Sequence, residues 1–378
     1  MNILEEVTPI LLAQGLLALR ENAVMPSLVN TDYSTIAADK GEVINVPIPS
    51  AVEVTDVEPG PNNPDVGDSK PTSAPIKLDH WKEAAFYLTD KDIKNSIEGI
   101  IPMQASEAIK GLGNYIDRHL LSLSKDLYGF VGTPGVTPFQ GSTRDVTQTR
   151  KVLNKQLAPK DSRRFVVDPD AEAEALDLRA FQDVSFSGST SVMSEGEINN
   201  KLGFDWAMDQ NLEGFTTGTR ANDYVVGGAT PAGSVVISVA TGTGSMNKGD
   251  QFTKAGDSQT YVVVQDHPGG AGNVMVAPAL KVACGGGEAI TFKGGPEETY
   301  ANNVAFHRDC FAFASRPLAD TGNGLGNIIQ SSVDPISGLT LRLEISREHK
   351  RIKFAYDILY GLGTVRRELG TRVWGAIQ

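Results

Sequence analysis

The residue types able to do chemistry in this chain are few and scattered. The five histidines, His80, His119, His267, His307 and His349, stand at no metal-ligand spacing from one another or from a cysteine. Cys284 and Cys310 form no motif, so neither a zinc site nor a disulfide framework is expected. Glycines cluster at Gly242–Gly244, Gly285–Gly287 and Gly322–Gly326. None of these clusters lies between a strand and a helix, where a phosphate-binding loop belongs, and they read as turns. There is no nucleophile elbow, and Glu297–Glu298 reads as a solvated turn. No catalytic, cofactor or metal site is expected, and function has to be argued from architecture.

One charge pattern remains. Towards the C-terminus Arg342, Arg347, Lys350, Arg351, Lys353, Arg366, Arg367 and Arg372 face only Glu344, Glu348, Asp357 and Glu368, eight cations against four anions. The whole chain carries −12, which argues against a protein whose main task is to grip DNA phosphates. The local excess suits either packaged nucleic acid or an acidic segment of a neighbouring molecule. An acidic segment exists: Glu53, Asp56, Glu58, Asp65 and Asp68 precede the first base, Lys70. Arginine is suited to bidentate carboxylate contacts, which favours the second reading.

The elements that position these residues are legible from periodicity. Thr8-Pro9 starts a helix that Met25-Pro26 ends, with Leu12, Leu16 and Leu19 on its apolar side. That helix is either packed on its own core or an arm that docks on a partner. Residues 42–89 read as a long hairpin, out through Val43–Ile48 and Val52–Val54 and back through Ile76–Leu88. Pro59, Pro61, Pro64, Pro71 and Pro75 keep its tip irregular. Ile101, Ala105, Ile109, Leu112, Ile116, Leu120, Leu123 and Leu127 form one stripe of a helix expected to run to Tyr128. Thr143–Leu157 is a second helix, Arg164–Asp168 a buried strand, and Pro169–Ala180 a helix with an acidic start. Leu339, Leu341, Leu343 and Ile345 alternate with polar residues, and Ile352 to Tyr360 answers them across a turn at Arg347–Arg351. Val365–Trp374 is a candidate third strand of that hairpin.

Residues 216–296 differ from both flanks. They hold 16 of the 39 glycines and only ten charged residues. Ser234–Val239, Thr260–Val264, Val274–Val276 and Ala289–Phe292 are short strands, expected to form a small antiparallel barrel or sandwich inserted into a host domain. At 378 residues the chain is long enough for several cores. No stretch approaches the roughly 20 apolar residues of a membrane span.

The order of parts resembles the major capsid proteins of tailed phages, the Hong Kong 97 fold. It is most similar to the coat proteins of short-tailed Salmonella-type phages, which carry an insertion domain. Three places carry the resemblance: Lys201–Gln210 with Thr216–Thr219, Tyr300–Asp309 with Phe311–Phe313 and Arg316–Leu318, and Ile358–Gly361 through Val365–Leu369. The resemblance implies an α+β fold with an N-terminal arm (residues 1–35) and an extended hairpin (36–92). It implies a peripheral domain on a spine helix (93–140 and 336–378), an axial domain (141–215 and 300–335) and an inserted β domain (216–299). It implies a non-enzymatic shell subunit of the virion, made in the host bacterial cytoplasm, with no cofactor. Its partners are then other copies in hexamers and pentamers, a scaffolding protein, a portal protein, decoration proteins and double-stranded DNA held without sequence-specific contacts. The expected intersubunit residues are Glu53, Asp56, Glu58, Asp65 and Asp68 against Arg347, Lys350, Arg351, Arg366 and Arg367. Leu12, Leu16 and Leu19 are expected to meet scaffolding protein. A cellular nanocompartment shell of the same fold is the nearest alternative. A soluble α/β enzyme with a β module is the alternative of another class, and a β-rich adhesion protein sits poorly with the spine helix.

Overall fold

The computed structural model describes residues 12, 13, 15, 19, 23–33, 43–49, 71–89, 100–183, 191–318, 327–333 and 339–377. Its centre is the spine helix, Ile100–Ser122, about 34 Å long at 1.5 Å per residue. The expected stripe is its core side, with Ala105, Ile109, Leu112, Ile116 and Leu120 all buried. The helix stops short of Tyr128. The Ser122 hydroxyl donates to the His119 carbonyl at 2.6 Å, and Leu123–Asp126 tightens into a 3-10 turn. Serine hydroxyls compete for helix carbonyls in this way. Leu127 then leaves in an extended conformation.

A five-stranded antiparallel sheet lies on the helix. Its order is Phe311–Arg316, Arg351–Thr364, Thr340–Glu348 and Ile328–Val333, with His80–Thr89 on the free side of Arg351–Thr364. Alternation divides its two faces. Leu341, Leu343 and Ile345 join Ile352, Phe354, Tyr356, Ile358 and Tyr360 inside, where Phe86 stacks on Phe354 at 5.2 Å. The opposite face carries Trp81, Glu83, Tyr87, Arg342, Lys353 and Asp357, whose cross-strand register brings them side by side.

The second sheet is mixed and has seven strands. Its path is Gly129–Gly132, Gly370–Gly375, Thr299–His307, Arg163–Val167, Phe204–Met208 and Asn200–Lys201, with Phe215–Thr216 pairing the start of Thr299–His307. The last strand of the chain therefore does not extend the C-terminal hairpin. Gly370–Gly375 pairs instead with Ala301–Phe306. The apolar run 304–318 is likewise two strands in two sheets, separated by a 3-10 turn at Arg308–Cys310 in which His307 caps the Asp309 N–H. Sheet membership thus crosses the boundaries read from the sequence. Gly129–Gly132 and Gly370–Gly375 leave the spine-helix sheet, while Phe311–Arg316 and Ile328–Val333 enter it.

Between Val225 and Phe292 six antiparallel strands pair only with one another, in the order Ile290–Phe292, Gln251–Lys254, Tyr261–Val263, Gly272–Ala277, Val236–Thr241 and Val225–Val226. A bridge from Val225 to Ala289, with the Val226 N–H on the Glu288 carbonyl at 2.9 Å, closes the ends into a barrel. Tyr224, Ile237, Phe252, Tyr261 and Phe292 lead its own core.

Of the expected hairpin the structure describes the stem, Val43–Ile48 paired with Thr72–Lys77, and the returning strand His80–Thr89. The stem does not stand free. Ile44, Val46 and Ile76 pack on Ala312 and Ala314. A Cβ on Gly361 would lie 2.3 Å from the Lys77 carbonyl oxygen, so only glycine admits this approach.

Candidate functional site

The surface that the sequence singled out is built on the outer face of the five-stranded sheet and its hairpin end. Its fixed centre is Asp357, which accepts from Arg342 Nε at 2.9 Å, Arg342 Nη2 at 2.5 Å and Trp81 Nε1 at 2.9 Å. Both charged groups are buried, and a bidentate pair of this kind fixes geometry as well as charge. Glu344 stands 4.0 Å from the same guanidinium and accepts from Asn327. Lys353 pairs with Glu83, which draws its ammonium above the usual lysine range. Trp81 is 60% exposed and Tyr87 47%, so two large aromatic rings face outward beside this network.

The predicted basic residues do not form one patch. Arg347, Lys350 and Arg351 gather at the exposed turn between Thr340–Glu348 and Arg351–Thr364. Arg351 donates to Glu348 at 2.6 Å and lies over the Tyr87 ring at 4.2 Å. Arg366 and Arg367 lie past the other end of the 14-residue strand Arg351–Thr364, about 43 Å of extended chain at 3.3 Å per residue. Arg367 is there on the rim of a cleft lined by Met275, Pro278 and Val365. Arg342 is consumed by Asp357, and Arg372 is fully buried. The acidic partners Glu53, Asp56, Glu58, Asp65 and Asp68 lie outside the described residues, as does Leu16.

Leu12 and Leu19 are described, and their side chains are covered by the chain's own core at 1% and 0% exposure. The reason is the fit beneath them: an added Cβ on Gly15 would meet Ile109, Leu341 and Tyr356. In this state neither leucine is presented to a partner, contrary to the expectation of a scaffold-contact face.

Two clusters had no warning in the sequence. The first joins the barrel to its host. Arg372 donates to Asn302 Oδ1 at 2.7 Å and to the Gly249 carbonyl at 2.6 Å, and lies over Phe215 and Trp374. Burial lowers its guanidinium to about 9, against the opposing charge of Asp250. Gln251 donates to the Leu127 and Gly129 carbonyls at 2.8 and 3.1 Å, and Lys248 meets Asp126 at 2.9 Å. Arg220 pairs with Asp250 at 3.1 Å inside the barrel root. The second cluster is aromatic. His80 and His119, 39 positions apart, meet with ring centroids 4.5 Å apart, and His119 Nδ1 lies 2.9 Å from the Tyr360 hydroxyl. Burial, then the neighbouring His80 and Lys82, hold His119 below the ordinary imidazole value. Among the described residues no group of three or more His, Cys, Asp or Glu side chains is placed to hold a metal ion.

In sequence the chain matches no protein-family model and no curated protein. Its three-dimensional form does find relatives. A chain of Mycobacterium phage Che8 superposes with a TM-score of 0.54 at 14% identity, over 93% of this chain and 90% of that one. A chain from the capsid structure of the cyanophage P-SCSP1u superposes with a TM-score of 0.51 at 10% identity, over 94% and 89%. This is a phage capsid fold. The α+β, Hong Kong 97-type architecture expected from the order of parts is the architecture found. At these identities the fold is what is shared, and the Asp357 network and the barrel joint are described for this chain alone. Among the described residues the capsid fold here contains no helix long and apolar enough to cross a membrane.

Proposed function

We propose that the chain is a major capsid protein that assembles into the icosahedral head shell of a tailed double-stranded DNA phage. The observation that supports this best is the extent of the fold match. The match to a chain from a phage capsid structure covers 94% of this chain and 89% of that one. The mechanism is geometric. The spine helix and five-stranded sheet form the peripheral body, the seven-stranded sheet belongs to the axial body, and the barrel is an inserted domain of the kind found in Salmonella-type coat proteins. The hairpin of one copy overlaps its neighbour, with the acidic residues Glu53 to Asp68 near the Arg347–Arg351 turn of that neighbour. Scaffolding, portal and decoration proteins and packaged DNA are the remaining partners. Many modest contacts summed over a closed symmetric shell give a stable particle. Exposed Trp81, Tyr87 and Arg351 are residue types that dominate interface energetics.

Electron microscopy of the purified chain, alone and with a scaffolding partner, tests the proposal. Closed shells are expected. A chain that stays monomeric under every assembly condition would refute it, and shells filled with a cargo enzyme instead of DNA would make it a nanocompartment subunit.

A further inference from the structure

Positive charge gathers on the helix Arg144–Lys155 and the turn after it. Between Arg144 and Arg164 stand seven cations and two anions, on a chain whose net charge is −12. Three of the seven are used within the fold. Arg163 is buried on Asn154 and on the Ala158 and Pro159 carbonyls, Arg164 pairs with Asp205, and Arg150 donates to the Leu202 carbonyl at 2.9 Å. The helix turns Val146, Thr149 and Leu153 to the core. Arg144, Gln148, Lys151 and Lys155, spaced by four, three and four, form one stripe on another side, about 16 Å long at 1.5 Å per residue. Asp145, the one carboxylate of this helix, accepts the Phe139 N–H at 3.2 Å. Lys151 reaches Gln148 at 3.4 Å, and among the described residues neither Lys151 nor Lys155 has a carboxylate partner.

The two lysines line a groove of about 250 Å³ where the helix faces the barrel. The barrel contributes Ser258, Gln259 and Thr260 to the lining, and Tyr128 joins them. Every polar side chain that lines the groove can donate a hydrogen bond, and none is a carboxylate. Asp257, beside the barrel loop, is committed elsewhere: it accepts the Gln259 N–H at 2.9 Å and the Tyr261 hydroxyl at 2.6 Å. Tyr128 is 7% exposed, and its hydroxyl has no hydrogen-bond partner among the described residues. Two ammonium groups, hydroxyls and amides converging from two elements match an anion that accepts from several directions. Where this chain binds a carboxylate tightly it uses the arginine fork, as at Arg342 and Asp357, and no arginine lines the groove. Lysine is a point charge suited to phosphate. We propose that the groove binds a phosphate group, held by Lys151 and Lys155 of the helix and by the Ser258–Thr260 loop of the barrel. The bound group then ties the barrel to its host at a second place, apart from Arg372.

The test titrates the unassembled full-length chain with inorganic phosphate while potassium chloride holds the ionic strength constant. Hydrogen exchange at Ser258–Thr260 and thermal unfolding report binding, and neither requires a closed shell. Saturable slowing of exchange in the loop and a saturable rise in Tm are expected. Lys151→Gln combined with Lys155→Gln removes two charge-assisted contacts from exposed positions and should weaken the affinity at least about tenfold. Lys160→Gln, an exposed cation outside the groove, should leave it within about twofold. A short DNA duplex titrated in the same buffer separates the sources. Protection by free phosphate assigns a small-ligand pocket, and protection by duplex alone, through the same two lysines, assigns the group to a nucleic-acid backbone. The proposal is overturned if neither ligand has a saturable effect. An equal effect in the double variant, or a rise in Tm without protection of the loop, also overturns it.

Discussion

Asp357 offers the sharpest single test of how the outer sheet face is held. Replacing it with leucine removes three accepted hydrogen bonds, two from Arg342 and one from Trp81. Trp81 is exposed enough for water to take its N–H, so little is lost there. Arg342 is different, because it is 9% exposed and, of the described anions, keeps Glu344 at 4.0 Å. Breaking one side of a buried pair costs about 3–5 kcal/mol, and the remaining Glu344 places this case near the lower end, about 3 kcal/mol. The double variant Arg342→Met with Asp357→Leu leaves no orphaned charge, and it is expected to lie within about 1 kcal/mol of the parent. Urea unfolding of the unassembled subunit followed by far-ultraviolet circular dichroism measures this without relying on Trp81 fluorescence. If the double variant costs the sum of the two single ones, the pair is not coupled and the reasoning fails.

Four further outcomes follow from the geometry. Ile116→Ala, in the centre of the spine stripe, should cost about 2–5 kcal/mol in the same assay, and a loss below about 1 kcal/mol would mean the helix is not packed as described. Gly361→Ala should displace the hairpin stem and reduce shell yield by electron microscopy, while Gly363→Ala, with only Ile76 near by at 3.7 Å, should assemble normally. Because His119 is held below its free value, unfolding takes up a proton. Stability from this group is present above pH 6.5 and falls as pH drops below it, and His119→Phe should flatten that slope in thermal unfolding. Reversing Glu53 and Asp56, then Arg347 and Arg351, should each impair assembly, and combining them should restore it in part. A combination no better than either alone would exclude the proposed pairing.

Elements governed by local periodicity were legible in the sequence, and what depends on pairing between distant strands was not. The spine stripe and the alternation through Leu339–Ile345 and Ile352–Tyr360 announce their faces because side chains repeat at 3.6 and 2.0 residues. Nothing in that pattern tells which polar residue on the far face will be enclosed. Arg342 meets Asp357 because the cross-strand register sets them opposite, and Trp81 joins them from a position 276 residues before Asp357. Asp117, buried on the spine helix where it accepts the Val24 and Met25 N–H groups, left only a faint trace: Gly113 and Leu121 flank it at helical spacing and widen the buried side beyond the main stripe. Four of the six barrel strands were visible as apolar runs, whereas Gln251–Lys254 carries one apolar residue among polar ones and gives no such signal. The two-residue strand Val225–Val226 that closes the ring is too short to show a period.

The barrel leaves and rejoins its host through neighbouring strands, Phe215–Thr216 beside Thr299–Tyr300, roughly 5 Å apart as in any strand pair. To the seven-stranded sheet, everything between is topologically no more than a turn, and a short loop would close the gap without shifting any register. Arg372 changes that. A host residue has committed its buried charge to a carbonyl, Gly249, that only the guest supplies. Excision would remove that acceptor and leave the buried cation to Asn302 and the Phe215 and Trp374 rings, so a loop that closed the gap would restore the strand pairing but not the charge balance.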